Sequence, residues 1–404
     1  MYFLQKNPTW VRFPNKTVEV LFKDDSDAEP RPVALEALIK ERCPTFFKDF
    51  KPAWWLFNGL DFTPVDTTDL PDETPIVVVL PGLTGGSTDS YIRTILAPIC
   101  VPRARGGPGF RGVVVNHRGC AGVPVTSQRL YTPGGTDDLR QALMYIAHKF
   151  PNAPLLGLGF SLGSNKLTRY LAEEGENSRF VAACALACPW DLAQNNMALE
   201  DSILGKHIYS KSLGSSLAAV VTRNAAALTA DPDHPLARLV PEVFKLKSPT
   251  MPEYDGAFAM HIGGTGPPWP FPNVEEFYTY FSSINTLPDI RVPFVAINAA
   301  DDPVVRRIPA SGGSNGLVTM VITRAGGHLG WFEAGKGEKW LGRWIQEPVL
   351  QWLILMGRNV VHKTRGSTLY VNDAGFLKEV GMNNDLGCKE ILRGGVFDGS
   401  IAIS

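Results

Sequence analysis

One uninterrupted stretch constrains this chain more than any other. An apolar run over residues 154–160 leads into Gly159-Phe160-Ser161-Leu162-Gly163, and a helix-like run over 162–174 follows and stops at Gly175. A short apolar run reads as a buried strand, and the spacing after it reads as a helix. Strand, sharp turn and helix form the context in which Gly-x-Ser-x-Gly carries chemistry. The turn forces Ser161 into a strained backbone conformation. It also brings strand and helix too close for side chains at the flanking positions. The Ser161 hydroxyl then stands above the sheet, near the positive end of a helix. Five common residues also fall together by chance, so the rest of the chain has to decide.

From Pro75 onward strands and helices alternate. Residues 76–80 (Ile-Val-Val-Val-Leu) are continuously apolar, as a buried parallel strand should be, and end in Pro81-Gly82-Leu83-Thr84-Gly85. The spacing predicts a helix over 90–99 and a strand over 112–116, which runs into His117-Arg118-Gly119-Cys120-Ala121-Gly122. Thr136 reads as the N-cap of a helix with Asp137 and Asp138 in its first turn, and Leu139, Ala142, Leu143, Ile146 and Ala147 as its apolar face. Further strands are expected over 181–188, 291–298 and 317–323. This alternation implies an α/β fold with a doubly wound, mostly parallel sheet. In such sheets reactive groups gather at the carboxyl ends of strands.

Four regions follow. Residues 1–190 hold an N-terminal segment and the first part of the core. Residues 191–285 lose regularity, with Pro232, Pro235, Pro241, Pro249 and Pro252 among them, and read as a lid inserted over the site. Their apolar residues Met251, Tyr254, Phe258, Met260, Trp269 and Phe271 suit an apolar substrate or the lid's own core equally well. A helix over 275–282 leads back to residues 286–357, the second part of the core. There a long helix, interrupted near Pro348, is expected over 338–356. Residues 358–404 form a C-terminal extension. At the other end, 18–22 reads as a strand, 32–42 has helical spacing, and the aromatic cluster at 53–59 packs against sheet or lid.

Three groups fall at the carboxyl ends of predicted strands: Ser161, an aspartate at 301 or 302, and His328. Serine is a poor nucleophile until a base takes its proton. Imidazole does this near neutral pH, and a carboxylate fixes its tautomer. Asp302 is the preferred acid because Asp302-Pro303-Val304 suits the turn after that strand, which leaves Asp301 to bond locally. The backbone N–H groups of Leu83 and Leu162 are the expected oxyanion donors. His117 and Arg118 are read as braces for loops at the sheet's edge, since His328 already supplies the imidazole.

Other classes are disfavoured. A formal net charge of −1 without any Lys/Arg block gives no basis for nucleic-acid binding. No apolar run approaches the ~18 residues of a membrane span. The first residues are too polar for a signal peptide, and the 6 cysteines show no disulfide framework, so reduced thiols and a cytoplasmic location are expected. Cys184 and Cys188 read as buried thiols on one face of a strand. The histidines show no ligand spacing, so neither metal nor other cofactor is expected.

Five motifs in order then carry a resemblance: Gly82-Leu83-Thr84-Gly85, residues 116–122, residues 159–165, Ala300-Asp301-Asp302-Pro303 and Gly326-Gly327-His328-Leu329-Gly330-Trp331. Together they resemble the YheT-like α/β-hydrolases, a group that includes fungal medium-chain fatty-acid ethyl ester synthase/esterases. The resemblance spans roughly residues 75–345. It implies acyl transfer through a serine ester, with a small-molecule ester or thioester donor, free or on a carrier protein. Water as acceptor gives an esterase or thioesterase, an external alcohol gives an ester synthase, and an internal hydroxyl gives a lactone, as fungal polyketide assembly would use. A non-catalytic binding protein on the same fold is the rival reading. Pro81 stands where many relatives have histidine, and the lid and tail depart from the family pattern. The resemblance therefore leaves the substrate-binding residues unassigned.

Overall fold

The computed structural model of the protein describes residues 19–22, 31–34, 37, 53–54, 59–64, 70–263, 268–312, 315–334, 341–360, 366–381 and 386–390. Contacts group the chain into two compact units, residues 53–391 and residues 1–52 with 392–404. In the smaller unit β1 (Glu19–Phe22) pairs antiparallel with β2 (Arg31–Ala34). Strand β2 removes residues 32–34 from the helix expected over 32–42. Pro32 cannot donate to a ladder but is tolerated in a strand free on one side. Of the remaining positions only residue 37 lies within the described residues.

The larger unit is built on one 8-stranded sheet. Its strands are β3 (Ala53–Trp54), β4 (Gly59–Thr63), β5 (Ile76–Leu80), β6 (Arg111–Asn116), β7 (Leu155–Phe160), β8 (Phe180–Leu186), β9 (Phe294–Ala299) and β10 (Val318–Thr323). They lie in the order β10-β9-β8-β7-β5-β6-β4-β3. All neighbours from β10 to β6 are parallel, while β4 and β3 join antiparallel at one edge. The helices are α1 (Ser90–Ile99), α2 (Asp137–Lys149), α3 (Leu162–Glu174), α4 (Leu192–Glu200), α5 (Lys211–Arg223), α6 (Ala225–Leu228), α7 (Pro235–Lys245), α8 (Met251–Ala257), α9 (Val274–Phe281) and α10 (Gln346–Ile354).

Both faces of the sheet are buried, which is why its central strands read as unbroken apolar runs. In β5, Ile76, Val78 and Leu80 face one cluster with Leu143 and Ile146 of α2 and Leu167 and Leu171 of α3. Val77 and Val79 face the other, with Ile92 and Ile95 of α1 and Val349 and Leu353 of α10. Helix α3 lies so close to β7 that a Cβ on Gly157 would stand 2.8 Å from Leu167 Cδ1, and one on Gly159 2.6 Å from Ser164 Cα. The glycines of β7 are therefore a packing requirement.

Several local expectations need correction. Thr136 precedes α2 as predicted, but its hydroxyl makes no cap; it donates to Glu173 Oε2 instead, at 2.5 Å. Cys184 and Cys188 are both buried, yet they lie in opposite core clusters. Strand β8 ends at Leu186, and Ala187 turns the chain with φ +50, so the alternation of the strand does not carry through to Cys188. Residues 341–343 form a short strand (β12) with β11 (Phe332–Ala334), and α10 begins only at Gln346. Pro348 lies in the first turn of α10, where its missing N–H breaks no bond. Residues 369–371 and 377–379 in the C-terminal extension pair as a hairpin that the sequence did not reveal.

The stretch between β8 and β9 is also more regular than expected. Helices α4 to α9 make up about half of it. Pro235 and Pro252 stand at the first positions of α7 and α8, where proline starts helices, and Thr250 with Glu253 forms a capping box. Tyr254, Phe258, Met260 and Phe271 are buried in a third apolar cluster belonging to these helices, with Trp269 packed against it. Among the described residues no helix is long and apolar enough to cross a membrane.

Candidate active site

Ser161 sits between β7 and α3 at φ +50, ψ −117, a conformation that costs a non-glycine residue about 1–3 kcal/mol. The surroundings hold it there. Its N–H donates to Leu186 O at 2.8 Å and its carbonyl accepts from Ser164 N–H at 2.9 Å. A Cβ on Gly163 would stand 2.2 Å from Leu80 O, so only glycine lets β5 and the first turn of α3 come together. The Ser161 hydroxyl donates to His328 Nε2 at 2.8 Å. His328 Nδ1–H donates to Asp302 Oδ2, also at 2.8 Å. Asp302 is fully buried, and its Oδ1 accepts from the N–H groups of Val304 and Val305 at 2.8 and 3.0 Å. A carboxylate only accepts hydrogen bonds, so the imidazole proton lies on Nδ1 and the Nε2 lone pair faces Ser161. Asp301 is turned the other way, and its Oδ1 accepts from Gly327 N–H at 2.8 Å.

The loop after β5 supplies the third side of the site. Leu83, Leu162, Ser161 and His328 line one cavity. Among the described residues no acceptor takes the N–H of Leu83 or of Leu162. The loop itself is tied at almost every residue. Gly82 N–H donates to Tyr91 Oη at 3.2 Å, Thr84 N–H to Tyr131 Oη at 3.3 Å and Gly86 N–H to Asp89 Oδ2 at 2.9 Å. From the loop the cavity runs between the sheet and the helical segment. Leu130, Pro133 and Leu192 line it together with Leu199, Leu217 and Met251.

The family profile of the α/β hydrolase fold matches residues 75–334. The chain belongs to the α/β-hydrolase fold family. It is 33% identical over 290 residues to the monoacylglycerol lipase of Saccharomyces cerevisiae, covering 70% of this chain and 59% of that protein. It is 34% identical over 278 residues to medium-chain fatty acid ethyl ester synthase/esterase 2 of the same organism, covering 65% and 59%. To an embryogenesis-associated protein of Picea glauca it is 30% identical over 304 residues, covering 74% and 63%. The matched part of the chain thus spans about three fifths of the length of each relative.

The candidate site has supports that the sequence did not reveal. Lys166 is buried in α3 and lies over the Tyr131 ring at 4.6 Å. Its ammonium donates to His117 Nδ1 at 3.4 Å, which leaves His117 Nε2–H to donate to Pro81 O at 3.3 Å. Burial pushes the Lys166 ammonium down to about 8. Burial and the neighbouring ammonium hold His117 well below the ordinary imidazole value, so the ring is a neutral strut. His117 thus braces the loop before Leu83, in line with the structural reading of that residue, and Arg118 pairs with Asp138. No motif marks Tyr91, Tyr131 or Lys166. Their one signal is residue type: a lysine in the buried face of a helix needs a polar partner nearby.

Proposed function

We propose that this α/β-hydrolase is a serine acyl-transfer enzyme of the esterase or thioesterase type, acting on an apolar, medium-length acyl ester or thioester. The observation that carries this reading is the hydrogen-bonded line from Ser161 through His328 to buried Asp302, opening on a largely apolar cavity. Ser161 Oγ attacks the acyl carbon while His328 Nε2 takes its proton. The carbonyl oxygen becomes an oxyanion and is met by the N–H groups of Leu83 and Leu162, each worth about 3–4 kcal/mol in the transition state. Asp302 stabilises the imidazolium through Nδ1–H. The carbon–oxygen or carbon–sulfur bond breaks, and the leaving group takes the proton from Nε2. Water then enters, gives a proton to His328, and attacks the acyl-enzyme; the proton returns to Ser161 as the acid departs.

Residues 191–285 serve as the lid in this reading, and their inner wall selects the acyl group. An alcohol in place of water gives ester synthesis by the same steps. Two observations favour keeping that acceptor in view: the largely apolar cavity, and the likeness to a protein named as both synthase and esterase. Intact-protein mass spectrometry after mixing with acyl thioesters, free or on a carrier protein, reads the retained acyl mass. Product analysis with and without added alcohol then identifies the acceptor. Labelling by a fluorophosphonate probe is expected at Ser161, and a folded protein that takes no label there sinks the enzyme reading in favour of a binding protein.

A further inference from the structure

The apolar cavity has polar exceptions, and several of them stand on helices α4, α8 and α9. Asn195, Asn196, Asp255 and Tyr278 all line it. None is needed by the chemistry assigned to Ser161, His328 and Asp302.

Asn195 is 4% exposed. Its Oδ1 accepts from the backbone N–H groups of Arg306 and Arg307 at 2.9 and 3.0 Å. Two backbone donors face an oxygen and not an amide nitrogen, so the orientation of this side chain is fixed and Nδ2 carries its hydrogens away from them. Nδ2 is buried without an acceptor among the described residues, and Oδ1 of Asn196 is buried without a donor. Buried polar atoms in folded proteins nearly always have partners, and exceptions in a cavity point to something that enters it.

Asp255 is 3% exposed. It makes no ion pair among the described residues, and its Oδ2 accepts from Tyr278 Oη at 2.5 Å. Burial raises its carboxyl to about 7, against the lowering effect of the Tyr278 hydroxyl. Near neutral pH much of the carboxyl is therefore protonated and offers an O–H donor beside its acceptor oxygen. The residues that line this wall thus include an amide donor and an amide acceptor without partners among the described residues, and a carboxyl of both kinds. A plain hydrocarbon chain would leave the two amide atoms unpaired. An ammonium group has no acceptor for Asn195 Nδ2, and a carboxylate has no donor for Asn196 Oδ1. An aliphatic hydroxyl both donates and accepts.

We propose that Asn195, Asn196, Asp255 and Tyr278 form a polar subsite in the cavity that takes an aliphatic hydroxyl group carried by the ester substrate. The subsite rests on the cavity being the substrate site of the proposed acyl transfer.

The test is binding to the full-length Ser161→Ala protein, which separates recognition from turnover. Calorimetric titration compares methyl decanoate, a set of methyl hydroxydecanoates with the hydroxyl at successive carbons, and monodecanoylglycerol. A hydroxylated ligand is expected to bind about 10-fold tighter than methyl decanoate. Preference for a hydroxydecanoate places the hydroxyl on the acyl side, and preference for the glyceride places it on the alcohol side. Asp255→Leu in the same protein should abolish the preference while methyl decanoate binds as well or better. If that variant does not fold, Tyr278→Phe and Asn195→Asp test the same point. The first removes one hydroxyl; the second keeps the oxygen that holds Arg306 and Arg307 but loses the amide hydrogens. Equal binding of plain and hydroxylated ligands overturns the subsite, and so does a preference that survives the variants. Failure of the wild-type protein to react with a fluorophosphonate overturns the acyl-transfer reading instead, whatever the binding preference.

Discussion

The parallel sheet with Ser161 and the helices over residues 192–281 are both closed by apolar side chains, but they treat their reactive and polar groups differently. Around Ser161 the reactive side chains are joined end to end, although Asn165 Oδ1 in α3 and Arg111 Nε in β6 are also buried without partners among the described residues. Ser161 meets His328, His328 meets Asp302, and Asp302 meets two backbone N–H groups. The helical segment instead leaves Asn195 Nδ2 and Asn196 Oδ1 without partners, and buries Asp255 without a cation, among the described residues. Under the proposed function the difference separates two tasks. Acyl transfer needs groups fixed before substrate arrives, because reorganisation during reaction costs rate. Selection needs groups whose partner is the substrate itself, because an unmatched ligand then leaves them unpaired.

The largest expected effect tests the fixed side. Ser161→Ala should lower turnover of any accepted ester by about 10⁶-fold while the unfolding temperature stays within a few degrees. Residual turnover above a tenth of wild type would break the comparison at its centre. Next, Asp302→Asn should reduce kcat by about 10⁴-fold, since an amide cannot hold the imidazole in the same tautomer. Asp301→Asn should cost less than about 10-fold, because the amide oxygen still accepts from Gly327 N–H. Steady-state kinetics on the pair decides between the two acids, and a reversal would transfer the role to Asp301.

Glycine substitutions sharpen the contrast in packing. At Gly163 a new Cβ would meet Leu80 O at 2.2 Å, an atom of a central strand that cannot move aside. Gly163→Ala should therefore destabilise by about 3 kcal/mol or more in chemical denaturation. At Gly256 in α8 the nearest atom is Val274 Cγ2 at 3.4 Å. There alanine should be neutral or stabilising by up to about 1 kcal/mol. Equal costs at both sites would mean that the helical segment is as tightly constrained as the sheet.

The smallest effect concerns pH. Asp255 is raised in the folded protein from 3.8 to about 7, chiefly by burial. Below pH about 3 the carboxyl is largely neutral in both folded and unfolded chains. As pH rises from there the unfolded chain ionises first, so stability falls and the loss levels off above pH about 7. Asp255→Asn should flatten that decline, giving a larger gain in unfolding temperature at pH 8 than at pH 4. An equal gain at both values would show that Asp255 is charged in the fold.

Much of the sheet was legible because each central strand is apolar on both faces and each flanking helix is apolar on one. Helices over 90–99 and 162–174 stand where their spacing put them. Of the helices in the 192–281 segment only α9, expected over 275–282, was legible; the others were not, because prolines that initiate α7 and α8 look in sequence like prolines that break helices. The same ambiguity moved the start of α10 relative to Pro348. Cys188 shows the limit of periodicity: a single positive φ at Ala187 sends it to the opposite core. Lys166, Tyr91 and Tyr131 were invisible because their partners lie on other elements.

The sequence by itself determined the elements and the kinds of residue at their ends. Gly159 and Gly163 around Ser161 demand a close strand–helix turn, and the order Ser161, Asp302, His328 follows the order of the strands. Only the tertiary structure decided that Ser161 and His328, 167 residues apart, lie 2.8 Å from each other and that Asp302, not Asp301, faces the ring. It also decided which residues of the 192–281 segment pack among themselves and which wall the cavity. The physical reason is range. A sequence pattern reports what a residue does with neighbours two to four positions away, whereas sheet order and helix packing set the distance between residues that no local pattern links.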